Sequence, residues 1–164
     1  MATYYFDASA AVKYFHQEPG TTWVQRITDA VVADSRRANE VYLAEISRVE
    51  VPAAFAILAR LRQISTRVRD SMYDSFLRKV GIDFLSLRLT PAIIGRAGEL
   101  TQQYPLKAYD ATQLAVALDF DGTLRQQGLS LIFVSGDETL LQAARAEGMA
   151  MDNPFAHAEL DAAE

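Results

Sequence analysis

The opening residues, Thr3-Tyr4-Tyr5-Phe6-Asp7-Ala8-Ser9, restrict the architecture more than any other stretch of the chain. Three aromatics and a β-branched residue favour a strand, and the run is too short to be a helix of its own. It stops on a carboxylate. From Ala8 onward Ala10, Ala11, Val12, Tyr14 and Phe15 read as a short helix that ends at Pro19-Gly20. A buried strand that delivers an acid to its carboxyl end, with a helix starting directly after it, is where parallel α/β sheets keep their chemistry.

The remaining pattern repeats this alternation. Helices are expected over 22–32, 47–62, 65–80, from Thr90-Pro91 through Gln103, from Asp110 to about Leu118, and over 138–147. Strands are expected at 41–44, at 84–89 as an edge strand, at 131–134, and as a last short piece at 149–151. Pro52 either kinks the helix beginning at Ser47 or marks a later start, and both leave Glu50 close to the same junction. Strands alternating with helices imply a three-layer α/β/α sandwich around a mainly parallel sheet of four or five strands. Residues 1–152 are expected to form one domain and 153–164 an acidic tail.

Composition narrows the chemistry. No apolar run approaches the roughly 20 residues needed to span a bilayer, and the first residues lack the features of a signal peptide. The absence of cysteine excludes disulfides and thiolate metal sites and suits a cytoplasmic location. Two histidines, His16 and His157, cannot make a usual zinc site alone, so any metal would be held mainly by oxygen. A net charge of −5 counts against a general nucleic-acid binder. The charge is uneven, though. Arg60, Arg62, Arg67, Arg69, Arg78 and Lys79 cluster against Asp70 and Asp74.

Four acids fall just after an expected strand or at the head of a helix: Asp7, Glu50, Asp110 and Asp137. Each could be a helix cap. Ser47-x-x-Glu50 and Ser135-x-x-Glu138 fit the capping-box pattern, and Asp110-x-x-Gln113 nearly does. Helices that follow parallel strands begin at one edge of the sheet, and neighbouring strands lie about 4.8 Å apart. Acids at several such junctions can therefore converge. Crowded carboxylates repel one another, and magnesium or manganese is the natural guest of an all-oxygen site. Such a site suits phosphodiester hydrolysis.

Asp7-Ala8-Ser9-Ala10, Lys13-Tyr14-Phe15 and Glu18-Pro19-Gly20 resemble the opening of PIN-domain ribonucleases, specifically the VapC-type toxins of toxin–antitoxin pairs. Ser47-Arg48-Val49-Glu50-Val51, Tyr109-Asp110-Ala111-Thr112-Gln113-Leu114-Ala115 and the run from Val134 to Leu141 resemble the family's second, third and fourth motifs, in order. The resemblance implies that Asp7, Glu50, Asp110 and Asp137 are the metal-holding, catalytic acids, with Ser9 and Ser135 as supporting hydroxyls. It implies a magnesium- or manganese-dependent endoribonuclease, the toxin of a type II pair, with RNA as substrate. A cognate antitoxin would insert a segment into the site, and a homodimer is expected. Glu45 is the competing carboxylate for the second position, although the Ser-x-x-Glu-Val context favours Glu50. Gln113 stands where relatives often carry histidine, and it is expected to point along its helix with little consequence.

Two other classes compete. One is a non-catalytic PIN-like module that binds RNA or protein. The other is a phosphatase, because Leu118-Asp119-Phe120-Asp121-Gly122-Thr123-Leu124 resembles the nucleophile motif of haloacid-dehalogenase-type enzymes. That motif belongs on an early strand, whereas here it ends a helix, so Asp119 and Asp121 are expected to be exposed loop and turn residues. Lys13 is expected to be a snorkelling surface lysine, Trp23 a core residue, and His16 and His157 ordinary surface or helix-end residues.

Overall fold

The computed structural model describes residues 1–32 and 36–162. Five strands, β1 (Ala2–Phe6), β2 (Asn39–Ala44), β3 (Phe84–Leu87), β4 (Leu131–Val134) and β5 (Ala150–Asp152), form one sheet in the order β3-β2-β1-β4-β5. Every neighbouring pair is parallel. The chain leaves β1 towards β2 and β3 on one side and returns to β4 and β5 on the other, so the order reverses beside β1. Ligands of open parallel sheets bind at such a reversal.

Among the described residues seven α-helices cover the two faces: α1 (Ala8–Phe15), α2 (Thr21–Asp29), α3 (Ser47–Arg60) and α4 (Thr66–Lys79) on one, α5 (Pro91–Gln103), α6 (Ala108–Gln126) and α7 (Glu138–Ala146) on the other. The central strands feed both cores by alternation. Tyr5 and Phe133 enter the α5–α7 core, where their rings stack, while Phe6 and Val134 enter the α1–α4 core. A strand buried on both faces reads as a continuous apolar run, which is why 3–6 and 131–134 stand out in the sequence.

The expected three-layer α/β/α arrangement is the observed one, with three local differences. The second helix stops at Asp29 rather than Val32, because Ala30 turns extended and Val31 pairs with Arg37 in an antiparallel bridge. The rest of that expected connection, residues 33–35, lies outside the described residues. Helix α3 starts at Ser47 with Pro52 inside it, as expected, but stops at Arg60 rather than Arg62, which has a positive φ of 59°. The third difference is larger. Helix α6 runs through the phosphatase-like stretch to Gln126, because Leu114, Ala117, Asp121 and Leu124 keep one buried face and Gly122 is tolerated on the outside.

Asp121 is therefore a buried helical residue, not an exposed turn residue, while Asp119 is exposed. One Asp121 oxygen accepts from the Leu131 amide at 3.2 Å and the other pairs with Arg125 at 2.7 Å. This ties the end of α6 to the start of β4. Both aspartates lie roughly 15 Å along the helix from Asp110, at 1.5 Å per residue. Asp121→Ala is expected to lower stability by about 1–2 kcal/mol through the stranded Leu131 amide and to leave RNA cleavage untouched. Denaturant unfolding and a cleavage assay on the same preparation check both halves.

The segment read as an acidic tail is folded over Pro154–Ala162 as a 3₁₀ segment, interrupted at His157, against α2. Asp161 accepts from the amides of Gly20 and Thr22 at 2.5 and 2.8 Å, so it caps a helix 139 residues away in sequence. His157 stacks on Trp23 at 4.3 Å and bonds Asp152 at 2.9 Å. Gly20 has a φ of 92°, and a Cβ there would lie 2.4 Å from the Pro154 carbonyl oxygen, so the two segments meet backbone to backbone. Residues 163 and 164, including Glu164 of the expected tail, lie outside the described residues.

Candidate active site

Asp7 follows β1, Asp137 follows β4, Glu50 sits in the first turn of α3 behind β2, and Asp110 sits in the first turn of α6. All four line one cavity of about 670 Å³ at the carboxyl edge of the sheet. Four segments far apart in the chain thus supply one acidic hollow. Capping accounts for two of the four only in part. Asp7 accepts from the Ala10 amide at 2.8 Å and Asp137 from the Leu140 amide at 3.0 Å, each as an N-cap. The expected capping boxes do not form: Ile46 and Asp137 occupy the cap positions, and the serines are engaged elsewhere. Asp110 and Glu50 lie inside their helices, and neither caps.

Asp7 is the most constrained. It is 5% exposed, and its two oxygens accept from Ser135 Oγ at 2.7 Å, Ser9 Oγ at 2.8 and 3.0 Å, and the Ala10 amide. Ser9 Oγ accepts in turn from the Gly136 amide and Ser135 Oγ from the Asp137 amide, at 2.8 and 3.0 Å. The two hydroxyls hold Asp7 and the β4–α7 turn in one register. A carboxylate has about four lone-pair sites, so three donors leave Asp7 room for one further partner.

Burial raises the Asp7 pKa to about 6, and the Asp110 carboxylate adds to the rise. Burial also raises Glu50, helped by Asp7 and Asp110, while the Gln113 bond opposes it. Asp110 is raised by burial and by Asp137. The four acids therefore feel one another through the cavity.

Glu45 does not share it. Its Oε1 accepts from the Leu89 amide at 2.8 Å, which anchors the strand-to-helix turn behind β3. The cavity is lined by Glu50 and not by Glu45.

Two residues at the site were read differently from the sequence, and a third was not read at all. Gln113, expected to matter little, is 2% exposed and is the bracket of the pocket. Its Oε1 accepts from the Tyr5 hydroxyl, and its Nε2 donates to Ser47 Oγ at 3.0 Å and to Glu50 Oε2 at 2.5 Å. It joins β1, α3 and α6 at the cavity because it lies in the second turn of α6, on the buried side with Leu114 and Ala117. Lys13, expected on the surface, is 1% exposed. Its ammonium donates to the Pro19 carbonyl at 3.0 Å, pairs with Glu18 at 3.4 Å and sits 3.7 Å from the Phe155 ring centre. Burial lowers its pKa, against the pull of Glu18, Asp161 and Asp7. Its spacing of three from Ala10, on the packed face of α1, was the available signal. For Phe155, which also lines the cavity, the sequence held no signal at all.

The basic residues between Arg60 and Lys79 do not form one helix face: Arg60 ends α3, Arg62 lies in the turn after it, and Arg67, Arg69, Arg78 and Lys79 lie on α4. Lys79 pairs with Asp29 and Asp83 and Arg69 with Asp70, while Arg60, Arg62, Arg67 and Arg78 are exposed.

Solved structures share the fold over nearly the whole chain. PAE2754 from Pyrobaculum aerophilum superposes with a TM-score of 0.60 at 20% identity, over 99% of this chain and 91% of its own. A chain of VapBC2 from Rickettsia felis, solved bound to a promoter DNA fragment, gives 0.58 at 12% identity over 92% and 98%. VapC20 from Mycobacterium tuberculosis, a sarcin-ricin loop cleaving toxin, gives 0.56 at 14% identity over 90% and 96%. The chain has the PIN fold of these structures. No family model matches its sequence, and no curated protein matches it significantly. The likeness to these PIN structures therefore lies in backbone arrangement rather than in overall sequence. No helix among the described residues is long and apolar enough to cross a membrane.

Proposed function

We propose that this PIN-fold protein is a metal-dependent endoribonuclease and the toxin of a toxin–antitoxin pair. The observation that carries the reading is the convergence of Asp7, Glu50, Asp110 and Asp137 on one cavity at the strand-order reversal. The similarity to VapC20, which cleaves the sarcin-ricin loop, supports RNA as the substrate class. The binding-module reading offers no reason to crowd four carboxylates into one cavity when burial already opposes the ionisation of Asp7, Glu50 and Asp110.

The donor set fits a hard divalent cation. It is all oxygen, and neither histidine lines the cavity. Among the described residues no three carboxylates are gathered tightly enough to hold an ion as they stand, so the acids would turn inward on binding. Asp7, Asp110 and Asp137 would hold magnesium or manganese, with Glu50 joining directly or through water. When bound, the ion supplies Lewis acidity towards the phosphodiester and an activated water. The chain's own residues prepare for this. Ser9 and Ser135 fix Asp7, Gln113 fixes Glu50, and the half-buried Asp110 faces both.

Manganese is expected to raise the melting temperature of the wild-type protein, by RT ln(1 + [L]/Kd), or about 2.7 kcal/mol at a hundredfold excess over Kd. The rise should vanish in Asp110→Asn. Equal stabilisation of that variant would sink the assignment.

An apolar wall adjoins the acids. Val49 and Ile57, exposed at 59% and 48%, line the same cavity with Ala53 on one face of α3. This wall suits the apolar side of a short antitoxin segment, and the VapBC2 likeness supports such a partner. A homodimer and a cytoplasmic location complete the proposal.

A further inference from the structure

Two half-exposed aromatic rings stand on the rim of the acid cavity, Tyr109 beside Asp110 and Phe155 on the C-terminal 3₁₀ segment. Phe155 is the one held in place beforehand. One side of its ring lies over the Lys13 ammonium, 3.7 Å from the ring centre, and that lysine is itself fully buried and tethered to Pro19 and Glu18. The ring edge lies so close to Gly136 that a Cβ there would sit 3.1 Å from it. The Phe155 amide donates to Asn153 Oδ1 at 3.0 Å, and Asp161 and His157 clamp the same segment onto α2. Even so, 47% of the side chain remains exposed. A large apolar ring left open next to charged groups, yet immobilised by a cation and a glycine turn, has lost its ordering entropy before anything binds. That is what a stacking platform needs. Its place is also telling, because Gly136 lies between Ser135, which orients Asp7, and Asp137.

The geometry points to Phe155 as the platform on which a nucleobase next to the scissile phosphate stacks, which makes it a positioning residue for single-stranded RNA. This rests on the RNA reading above. Lys13 acts through the ring rather than on the phosphate, since its ammonium is already spent on Pro19, Glu18 and the ring. Stacking tolerates any base, so Phe155 sets affinity and register rather than sequence.

The test uses the full chain carrying Asp110→Asn, which keeps the RNA uncut, and a single-stranded oligoribonucleotide with one 2-aminopurine moved along it. Affinity is read by titration and stacking by fluorescence quenching. Phe155→Leu keeps apolar bulk but removes the ring. It should weaken binding about 5- to 150-fold and abolish quenching at one position, with Phe155→Trp restoring both. Unchanged affinity and quenching in Phe155→Leu would overturn the inference, as would loss that Phe155→Trp fails to rescue or that tracks a fall in melting temperature. An unchanged result would instead favour the ring as a contact for the protein partner. Cleavage by the chain with Asp110 intact separates the two claims. Cleavage without ring-dependent binding removes only the platform, whereas ring-dependent binding without cleavage removes the nuclease and leaves an RNA-binding module.

Discussion

Asp7→Asn will abolish RNA cleavage and will at the same time raise the stability of the metal-free protein at neutral pH. The first effect follows from losing a charged oxygen donor at the centre of the site. If the bound ion contributes about 4 kcal/mol to the transition state, its misplacement costs about a thousandfold in rate. The second effect follows from burial. Folding raises the Asp7 pKa from 3.8 to about 6. Between those values the folded chain keeps a proton that the unfolded chain has lost, so the contribution of Asp7 to metal-free stability is most favourable below pH 3.8 and falls as pH rises through the window. Above about pH 6 the full penalty applies, about 3 kcal/mol at 1.36 kcal/mol per unit.

Asparagine escapes this penalty. Its carbonyl can still accept from the Ala10 amide, and its amide can donate to a reoriented Ser9 or Ser135 hydroxyl. The net gain is therefore expected at about 1–3 kcal/mol above pH 7, shrinking to nothing or reversing near pH 4. Melting curves of both proteins in EDTA from pH 4 to 8 measure it. A variant less stable than wild type across that whole range would show that the hydrogen bonds outweigh the buried charge. Cleavage at the wild-type rate would remove Asp7 from the chemistry.

These two readouts also separate the catalytic and capping roles that the sequence left open. A simple N-cap aspartate costs about 1 kcal/mol when removed and carries no penalty for its own charge. Asp7 caps α1 with one oxygen, yet it is buried, and the lost solvation of its charge decides its behaviour.

The architecture was legible because its signals are local. A strand that must be apolar on both faces, as at 3–6 and 131–134, announces itself without a partner, and Thr90-Pro91 opens α5 by backbone chemistry alone. The positions of Asp7, Glu50 and Asp137 were legible for a related reason, since parallel topology brings every strand-to-helix junction to one edge, whereas Asp110 heads a helix that follows another helix, α5. What escaped was whatever depends on which way a side chain turns once packed. Gln113 and Lys13 each sit on a helix of mixed character, where the polar residue could face either way. The capping boxes failed because Ser47 meets Gln113 across 66 residues, a partner that no local pattern contains. Phe155 and Asp161 act through a segment that has no apolar periodicity and folds only by lying on α2. Helix α6 was cut short because a glycine directly after Asp119-Phe120-Asp121 reads as a turn, whereas the core contact of Leu124 holds the helix through it.

Gln113→Leu will destabilise the protein by about 2–4 kcal/mol and lower cleavage, although leucine fits the volume. Tyr5 is fully buried and Ser47 equally so. Losing Gln113 leaves the tyrosine hydroxyl without its acceptor and the serine oxygen without its donor. Each stranded buried group costs about 1–3 kcal/mol. The Glu50 carboxylate loses its amide donor as well, which raises its pKa further, because that bond is what opposes burial there. Activity should then need a higher pH to ionise Glu50, so the acid limb of the pH–rate profile moves upward. Tyr5→Phe provides the internal check. It removes the hydroxyl and leaves the Gln113 carbonyl oxygen open, so it is costly alone. Combined with Gln113→Leu it strands one group fewer, and the double variant should cost less than the sum of the two singles. Strict additivity in denaturant titrations would mean that Tyr5 and Gln113 do not act together, and the bracket joining β1 to α3 and α6 would then have to be abandoned.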